Sequence, residues 1–517
     1  MSVSSDESPV RSKIRLNISN CQYSVVTDVA LELGWKTVND EDDSECDVYW
    51  QDAALPPEVL STLKSYQRIN HFPGMYAIAR KDHLAKNLKA MKQMFPDQFK
   101  FFPPTWCLPR DLNDLKSQFN AKRAKTFIVK PENNCQGRGI FLTRRLEEIP
   151  EKCVVQRYLH KPYLIDGLKF DLRLYVLVTC CDPLRVHIHK DGLVRLATEE
   201  YTPPLPSNLG DMCMHLTNYA INKNNPNFEF NTSKEDNFSG HKRSLKVFFE
   251  RMREEGVDTE SLWESICDVI VKTICTVQPF LSHMYRSSQA SDSTNAICFQ
   301  ILGFDIFLDH RLKPYLLEVN HTPSFATDTP LDYEIKFNVI RDSLKMMGLN
   351  EKNRAKFYSN HSKNVLQRAT KNIKEIRKLR NEQREKFNKR RIKIEKTNKG
   401  GFTVIHPKQG NDEYEKHMVA AKDIWLSNTG YTKKAKKPEE KEPPKPKQAK
   451  PPRPRNICTR PKSPKFITRR RSFSPQSTSN IKKEEPTYRR DPSRLPALRI
   501  HTTGSFIKPK LFTFGQQ

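Results

Sequence analysis

The chain has 517 residues, 37% hydrophobic and 29% charged, enough to bury one large core or two to three ordinary ones. Its 88 Lys+Arg against 60 Asp+Glu leave +28, which favours a polyanionic partner such as nucleic acid, an anionic membrane face or an acidic protein surface. Twelve cysteines without a CxxC speak against zinc and a disulfide framework; with no signal-like start and no apolar run near the roughly 18 residues of a membrane span, a soluble intracellular chain is expected.

Residues 1–12 read as disordered. KIRLNISNCQYSVVTDVALELGWKTV then gives a strand and an amphipathic helix, and DVYWQD another strand, an amino-terminal α/β domain over 13–72. A central domain over 73–185 opens with the helix KDHLAKNLKAMKQMF, which the prolines of FFPPTWCLP terminate, followed by helix DLNDLKSQF and strand KTFIVKP. The apolar stretches TFIVK, CVVQRYL and LRLYVLVTCC alternate with turns, which predicts a sheet rather than a bundle. A third domain over 186–350 holds VHIHK, read as an exposed strand with His187 and His189 alternating, helices over 243–286, and a hairpin of FQILGFDIFL and KPYLLEVN turning at DHRL. The core is expected to end near residue 350. Beyond it, residues 351–400 carry 18 Lys+Arg against 5 Asp+Glu, so 351–430 reads as a cationic helical region with a narrow apolar stripe at Ile373, Ile376 and Leu379. Residues 431–517 have the Pro/Lys/Arg-rich composition of a disordered tail. The fold class is mixed α/β (α+β).

Residues two apart in a strand share a face, so Glu318 and Asn320 project together, and the hairpin partner can add Asp305. Three oxygen donors suit Mg²⁺; buried carboxylates held by Arg or Lys are the plainer account, and both stay open. FIVKPENNCQGRGI offers a strand ending at Lys130 and a loop with Gln136 and Gly137, where glycine admits backbone N–H groups to phosphate oxygens. The chain has no GxxxxGK[ST], HRD or DFG, so the P-loop and protein-kinase templates fail. Gln156, Arg157, Tyr158 and Leu159 lie where a strand can present backbone groups to a base. Lys169, Asp171 and Arg173 then form an alternating charged face, rare in a buried strand without a ligand or partner ion.

Seven segments in order, INHFPGM, FFPPTWCLP, KPENNCQGRGI, QRYLHKPYLIDGLKFDLRLYVLV, DMCMHLTNYAINK, GFDIFLD and KPYLLEVNHTPS, cover about 70 to 350 and resemble the tubulin tyrosine ligase-like family, ATP-grasp amino acid ligases, and within it the polyglutamylases. The resemblance implies an ATP-grasp core that uses ATP and Mg²⁺. Lys130, Gln136 and Gly137 would contact phosphates, Gln156, Arg157, Tyr158 and Leu159 would line the adenine hinge, and Lys169, Phe170 and Asp171 would complete the nucleotide site. Asp305, Glu318 and Asn320 would hold the metal. Arg195, Thr217, Asn218 and Lys242 are the candidates for gripping free glutamate, and His321 for orienting the acceptor; Lys130, Lys169, Arg173, Glu318 and His321 form the catalytic set. Asn133-Asn134 depart from the smaller residues relatives often carry in that loop. The implied partner is the acidic carboxy-terminal tail of tubulin on microtubules, in cytoplasm or cilium, with the cationic region as the adhesive element. A monomer with no membrane and no specific nucleic-acid partner is expected, because the tail is poor in aromatics for base stacking. Glycine or tyrosine ligation by the same chemistry, and a non-catalytic microtubule-binding protein, are the rival readings.

Overall fold

In the computed structural model the described residues are 13–429 without 55, 121–123, 132–136, 231–239, 291, 293, 360–371, 409 and 411. The expectations for residues 1–12, for Asn133, Asn134 and Gln136, and for the 431–517 tail therefore lie outside the described residues.

Strands β1 (Arg15–Asn20), β2 (Lys36–Val38), β3 (Val48–Gln51) and β4 (Arg68–Ile69) form a parallel sheet in the order β2-β1-β3-β4. Parallel neighbours need a crossover, and helix Ser24–Glu32 supplies the first, burying Val25, Val26, Val29 and Ala30. A second, antiparallel sheet runs β5-β8-β6-β7, built from β5 (Thr105–Cys107), β6 (Phe127–Lys130), β7 (Phe141–Thr143) and β8 (Val154–Arg157).

The third sheet organises the molecule. β9 (Leu164–Ile165), β10 (Leu168–Cys181), β11 (Leu184–Glu200), β12 (Lys242–Ser244), β13 (Gln300–Leu308), β14 (Pro314–Asn320) and β15 (Phe402–His406) run β12-β11-β10-β13-β14, with β15 on β11 and β9 on β10. Period-two alternation along β10 gives its two faces different work. Phe170, Leu172, Leu174 and Val176 pack against Ile266, Ile270 and Ile274 of helix Thr259–Cys275. On the other face Tyr175 and Leu177 are covered by Leu331, Ile335 and Val339 of helix Pro330–Met346, whose amino-terminal cap is Thr329, accepting from Asp332 N at 3.1 Å. Toward the start of β10 that helical cover gives way, and the same face carries Lys169, Asp171 and Arg173.

Two boundaries differ from the expectation. β10 and β11 are antiparallel neighbours from Leu168↔Glu200 to Cys181↔Leu184, so a division at residue 185 falls inside one sheet. The body also does not stop near residue 350. β15 extends the sheet beside β11, with Val186 opposite His406 and His189 opposite Phe402, and Tyr414, Ala420 and Ala421 of helix Glu413–Asn428 join the main core.

The cationic helix Ile373–Thr397 docks through polar contacts with only part of its expected stripe covered: Ile373 is 71% exposed, Ile376 and Leu379 are half-buried, and Arg391 and Glu395 are its buried residues. Glu395 receives Arg185 Nε at 2.7 Å and Thr179 Oγ1 at 2.7 Å, while Arg391 donates to the carbonyls of Thr294 and Asn295. His187 and His189 lie beneath this segment, buried rather than exposed, with His187 Nε2 3.6 Å from Glu395. Composition shows the charge of such a segment but not which of its few acids turns inward. Among the described residues no single helix is long and apolar enough to cross a membrane.

Candidate active site

Cross-strand pairing puts the charged residues in two rows on one face. Lys242, Arg195 and Asp171 stand opposite one another across β12, β11 and β10; Arg173, Asp305 and Glu318 do so across β10, β13 and β14. Because each row holds residues directly opposite, opposite charges meet without long side-chain reach. Asp171 takes Arg195 through both oxygens at 2.7 Å, and Thr217 Oγ1 adds a third donor at 2.7 Å. Asp305 takes a forked bond from Arg173 and a further contact from Arg195 at 2.8 Å. Burial alone would raise the Asp305 carboxyl; the two guanidiniums more than offset it and hold it well below the usual carboxylate range.

The rows border a cleft of about 680 Å³ between the second and third sheets, lined on one side by Ile128, Lys130, Gln156 and Tyr158 and on the other by Lys169, Asp171, Asp305 and Glu318. Arg157, Leu159, Phe170, Thr217 and Asn218 also line it. Gly137, beside Asn218 and Ile221, has φ +79°, a conformation that favours glycine. Gly303, opposite Asn320, leaves room for the Arg173 side chain, whose Cδ would lie 3.2 Å from an added Cβ.

Two lysines face the cleft. Lys130 Nζ donates to Gln156 Oε1 at 2.9 Å, and Lys169 Nζ donates to Tyr158 Oη at 3.1 Å and to the His215 carbonyl at 2.7 Å. Burial pulls Lys130 down to about 8 and Lys169 down to about 7. The expected base-binding edge needs refinement here. Arg157 N and Tyr158 N donate to Pro104 O and Thr126 O, so these two amides serve neighbouring backbone, while the Gln156 and Tyr158 side chains hold the lysines. Tyr158 and Leu159 lie just past β8, and both line the cleft.

Of the two sequence alternatives for the D…ExN set, the cation-held one describes Asp305. Glu318 is different: among the described residues its hydrogen-bond donor is Asn320 Nδ2 at 3.2 Å, and it makes no ion pair. Two carboxylates and an amide oxygen on one face, one carboxylate lacking a cation, fit Mg²⁺, which keeps water and phosphate among its ligands. Among the described residues no group of three His, Cys, Asp or Glu forms an alternative metal set.

The amino-acid candidates are adjacent but not bare. Lys242 Nζ lies 2.7 Å from Asp332 Oδ2 and 3.5 Å from the Tyr219 ring centroid, and Lys336 approaches the other Asp332 oxygen at 2.9 Å. Arg195 and Lys242, the candidates for gripping glutamate, thus already face carboxylates of the chain itself. His321 lies outside this cleft, in a second one with Trp50, Asn70, His71 and Phe325. Sequence reasoning missed Asp332, Lys336, Tyr219 and His215. Asp332 was legible as the third residue after a Thr cap; His215 and Tyr219 lay in the quoted segment DMCMHLTNYAINK without a spacing that marks them.

The family model described as the tubulin-tyrosine ligase family matches residues 60–356. A probable beta-tubulin polyglutamylase of Tetrahymena thermophila is 49% identical over 425 residues, 80% of this chain and 36% of that protein. Tubulin polyglutamylase TTLL6 of Mus musculus is 44% identical over 414 residues, 78% of this chain and 49% of that protein. Tubulin polyglutamylase TTLL13 of Mus musculus is 42% identical over 411 residues, 78% and 50% respectively. The chain spans about half the length of these relatives or less.

Proposed function

This chain belongs to the tubulin-tyrosine ligase family, in the branch whose named members are tubulin polyglutamylases, and from that premise we propose that it is an ATP- and Mg²⁺-dependent ligase adding glutamate to glutamate side chains or chains on tubulin carboxy-terminal tails. The fold is of the ATP-grasp type. The observation that carries the reading is the cleft itself, with two buried lysines facing two carboxylates, one of which makes no ion pair among the described residues.

A carboxylate is a poor acylating agent because oxide would have to leave, so amide formation needs activation. In this reading an acceptor glutamate carboxylate of the tail attacks the γ-phosphorus of ATP and ADP departs, giving an acyl phosphate. The amine of free glutamate, having lost its proton, attacks the acyl carbon; the new C–N bond forms as the C–O bond to phosphate breaks. Lys130 and Lys169 bind the phosphates and, with Arg173, stabilise the charge that develops on the transferring group. Mg²⁺ held by Asp305, Glu318 and Asn320 supplies charge neutralisation on phosphate oxygens when bound. Arg195 and Lys242, with Thr217 and Asn218, hold the carboxylates of the incoming glutamate, and His321 orients the acceptor. Labelled glutamate, glycine and tyrosine, each offered with ATP, Mg²⁺ and microtubules and followed by mass spectrometry of the tails, test the reading; incorporation of glycine or tyrosine instead of glutamate overturns it.

The lysines give a pH signature. Below its own pKa each is an ammonium, and phosphate favours that form. With Lys169 at about 7 and Lys130 at about 8 before binding, the cleft must take up protons to bind nucleotide at pH 8. Calorimetry at pH 8 in buffers of different ionisation enthalpy is expected to show net proton uptake on binding Mg·ATP, with affinity falling between pH 7 and 9. Binding with no proton uptake would contradict the two depressed lysines.

Microtubule adhesion is assigned to the exposed face of helix Ile373–Thr397, where Lys378, Lys386, Lys389 and Lys393 face solvent. The Debye length is about 8 Å at physiological ionic strength, so attraction to acidic tails weakens with added salt. Replacing these four by Gln is expected to weaken cosedimentation with microtubules roughly 10-fold or more at low salt, with nucleotide affinity unchanged. Equal cosedimentation would remove the helix from this role. Substitution is the right test because deletion of 351–430 would also remove β15 and the buried Glu395 contact.

A further inference from the structure

Lys169 is held by a chain of hydrogen bonds that ends on a residue with no assigned role. His215 is fully buried at the end of the short helix Met212–His215. Its Nε2 lies 3.0 Å from the Asn208 carbonyl, its Nδ1 lies 3.0 Å from Tyr158 Oη, and Tyr158 Oη lies 3.1 Å from Lys169 Nζ.

The donors in this chain can be assigned by elimination. A carbonyl can only accept, so Nε2 carries the proton that faces Asn208. A neutral imidazole then has a bare Nδ1, which must accept from the Tyr158 hydroxyl. That leaves the phenolic oxygen free to accept from Lys169, which as an ammonium opposite phosphate has donors only. The chain therefore runs in one direction, from Lys169 through Tyr158 and His215 to Asn208. Burial and the neighbouring Lys169 ammonium hold the imidazole below its ordinary range, which keeps it neutral as the chain requires. The other charged or titratable groups near it are Asp211 and Tyr201, whose ring centroid lies 6.0 Å away.

Two of the three Lys169 N–H bonds are thereby fixed, one on Tyr158 and one on the His215 carbonyl at 2.7 Å, and the ring of Tyr158 stacks beneath the ammonium at 4.5 Å. Lys169 lines the cleft, so its third N–H is left for a ligand there. We infer that His215 is a positioning residue for nucleotide binding: through the Tyr158 hydroxyl it orients Lys169 toward the phosphates in the cleft. The inference rests on the ligase reading for the identity of the ligand. It changes the part played by Tyr158, whose hydroxyl serves the lysine rather than a base.

The geometry supplies its own controls. An Asn side chain can place an acceptor where Nδ1 stands, whereas Gln reaches the Nε2 position and leaves Tyr158 without its acceptor. Isothermal calorimetry of the full chain with Mg²⁺ and a non-hydrolysable ATP analogue, with the thermal midpoint of each protein, tests the relay. His215→Gln and Tyr158→Phe are each expected to weaken binding about tenfold, the size of one hydrogen bond to a charged group. The Tyr158→Phe/His215→Gln double variant should be no weaker than either single variant, and His215→Asn should remain within about twofold of the parent. Equal losses in His215→Asn and His215→Gln, tracking a fall in thermal midpoint, would make His215 merely structural and overturn the inference; so would unchanged binding in His215→Gln. Failure of the parent chain to bind any Mg·nucleotide would instead bring down the ligase reading, and the relay with it.

Discussion

Glu318→Gln is expected to reduce glutamate ligation by roughly 1000-fold or more while shifting stability by less than about 1 kcal/mol. The asymmetry follows from what Glu318 touches. Its side chain is half-buried on β14, bonded to Asn320 and, among the described residues, paired with no cation, so the substitution breaks no ion pair there and changes volume hardly at all. In the proposed reading, what it removes is the carboxylate that would hold a dication against the phosphates. The neighbouring Asp305→Asn cannot serve as this test, because it takes the carboxylate from the buried Arg173 guanidinium and one of two from Arg195, which keeps Asp171, and is expected to cost fold and activity together. Ligation by Glu318→Gln is measured with labelled glutamate on microtubules, beside a thermal melt. Full activity in the variant would contradict the metal assignment; a large fall in melting temperature would show Glu318 to be structural.

The legible part of this site is the part governed by strand periodicity. Lys169, Asp171 and Arg173 alternate in the sequence, as do Glu318 and Asn320, and a period of two suffices to put each set on one face. Which faces then meet depends on the register between strands distant in sequence, and no local pattern encodes it. Arg195 opposite Asp171 and Arg173 opposite Asp305 are consequences of that register, so which arginine neutralises which carboxylate was not visible. The same limit accounts for Lys242, whose partner Asp332 is 90 residues away. The amino-terminal α/β unit and the β13–β14 hairpin were legible because short connections join their neighbouring strands. β15 was not, since FTVIH sits in a basic, helix-rich stretch and pairs with a strand some 200 residues earlier.

That late strand makes the carboxy-terminal segment part of the body, and Glu395→Ala is expected to destabilise the protein by about 3–5 kcal/mol. Glu395 is the buried acid of an otherwise basic helix, 3% exposed, and its carboxylate receives both Nε and a terminal nitrogen of Arg185 together with Thr179 Oγ1. Arg185 is itself 10% exposed, so truncating its partner leaves a buried guanidinium without a counter-charge; that penalty, rather than the attraction lost, makes the effect large. Burial would raise the Glu395 carboxyl, but His187 and Arg185 outweigh it and hold it at about 2. A carboxyl depressed from its ordinary value of about 4.3 contributes stability that is present above that value and is lost as pH falls toward 2. The stability gap between the parent and Glu395→Gln should therefore be constant near neutrality and close between about pH 4 and 2. Thermal melts across that range read the closure, and limited proteolysis reads whether helix Ile373–Thr397 comes away first. A Glu395→Ala protein as stable and as protease-resistant as the parent would mean that the helix is not anchored at Arg185. The proposed adhesive surface would then be separable from the sheet that carries the cleft after all.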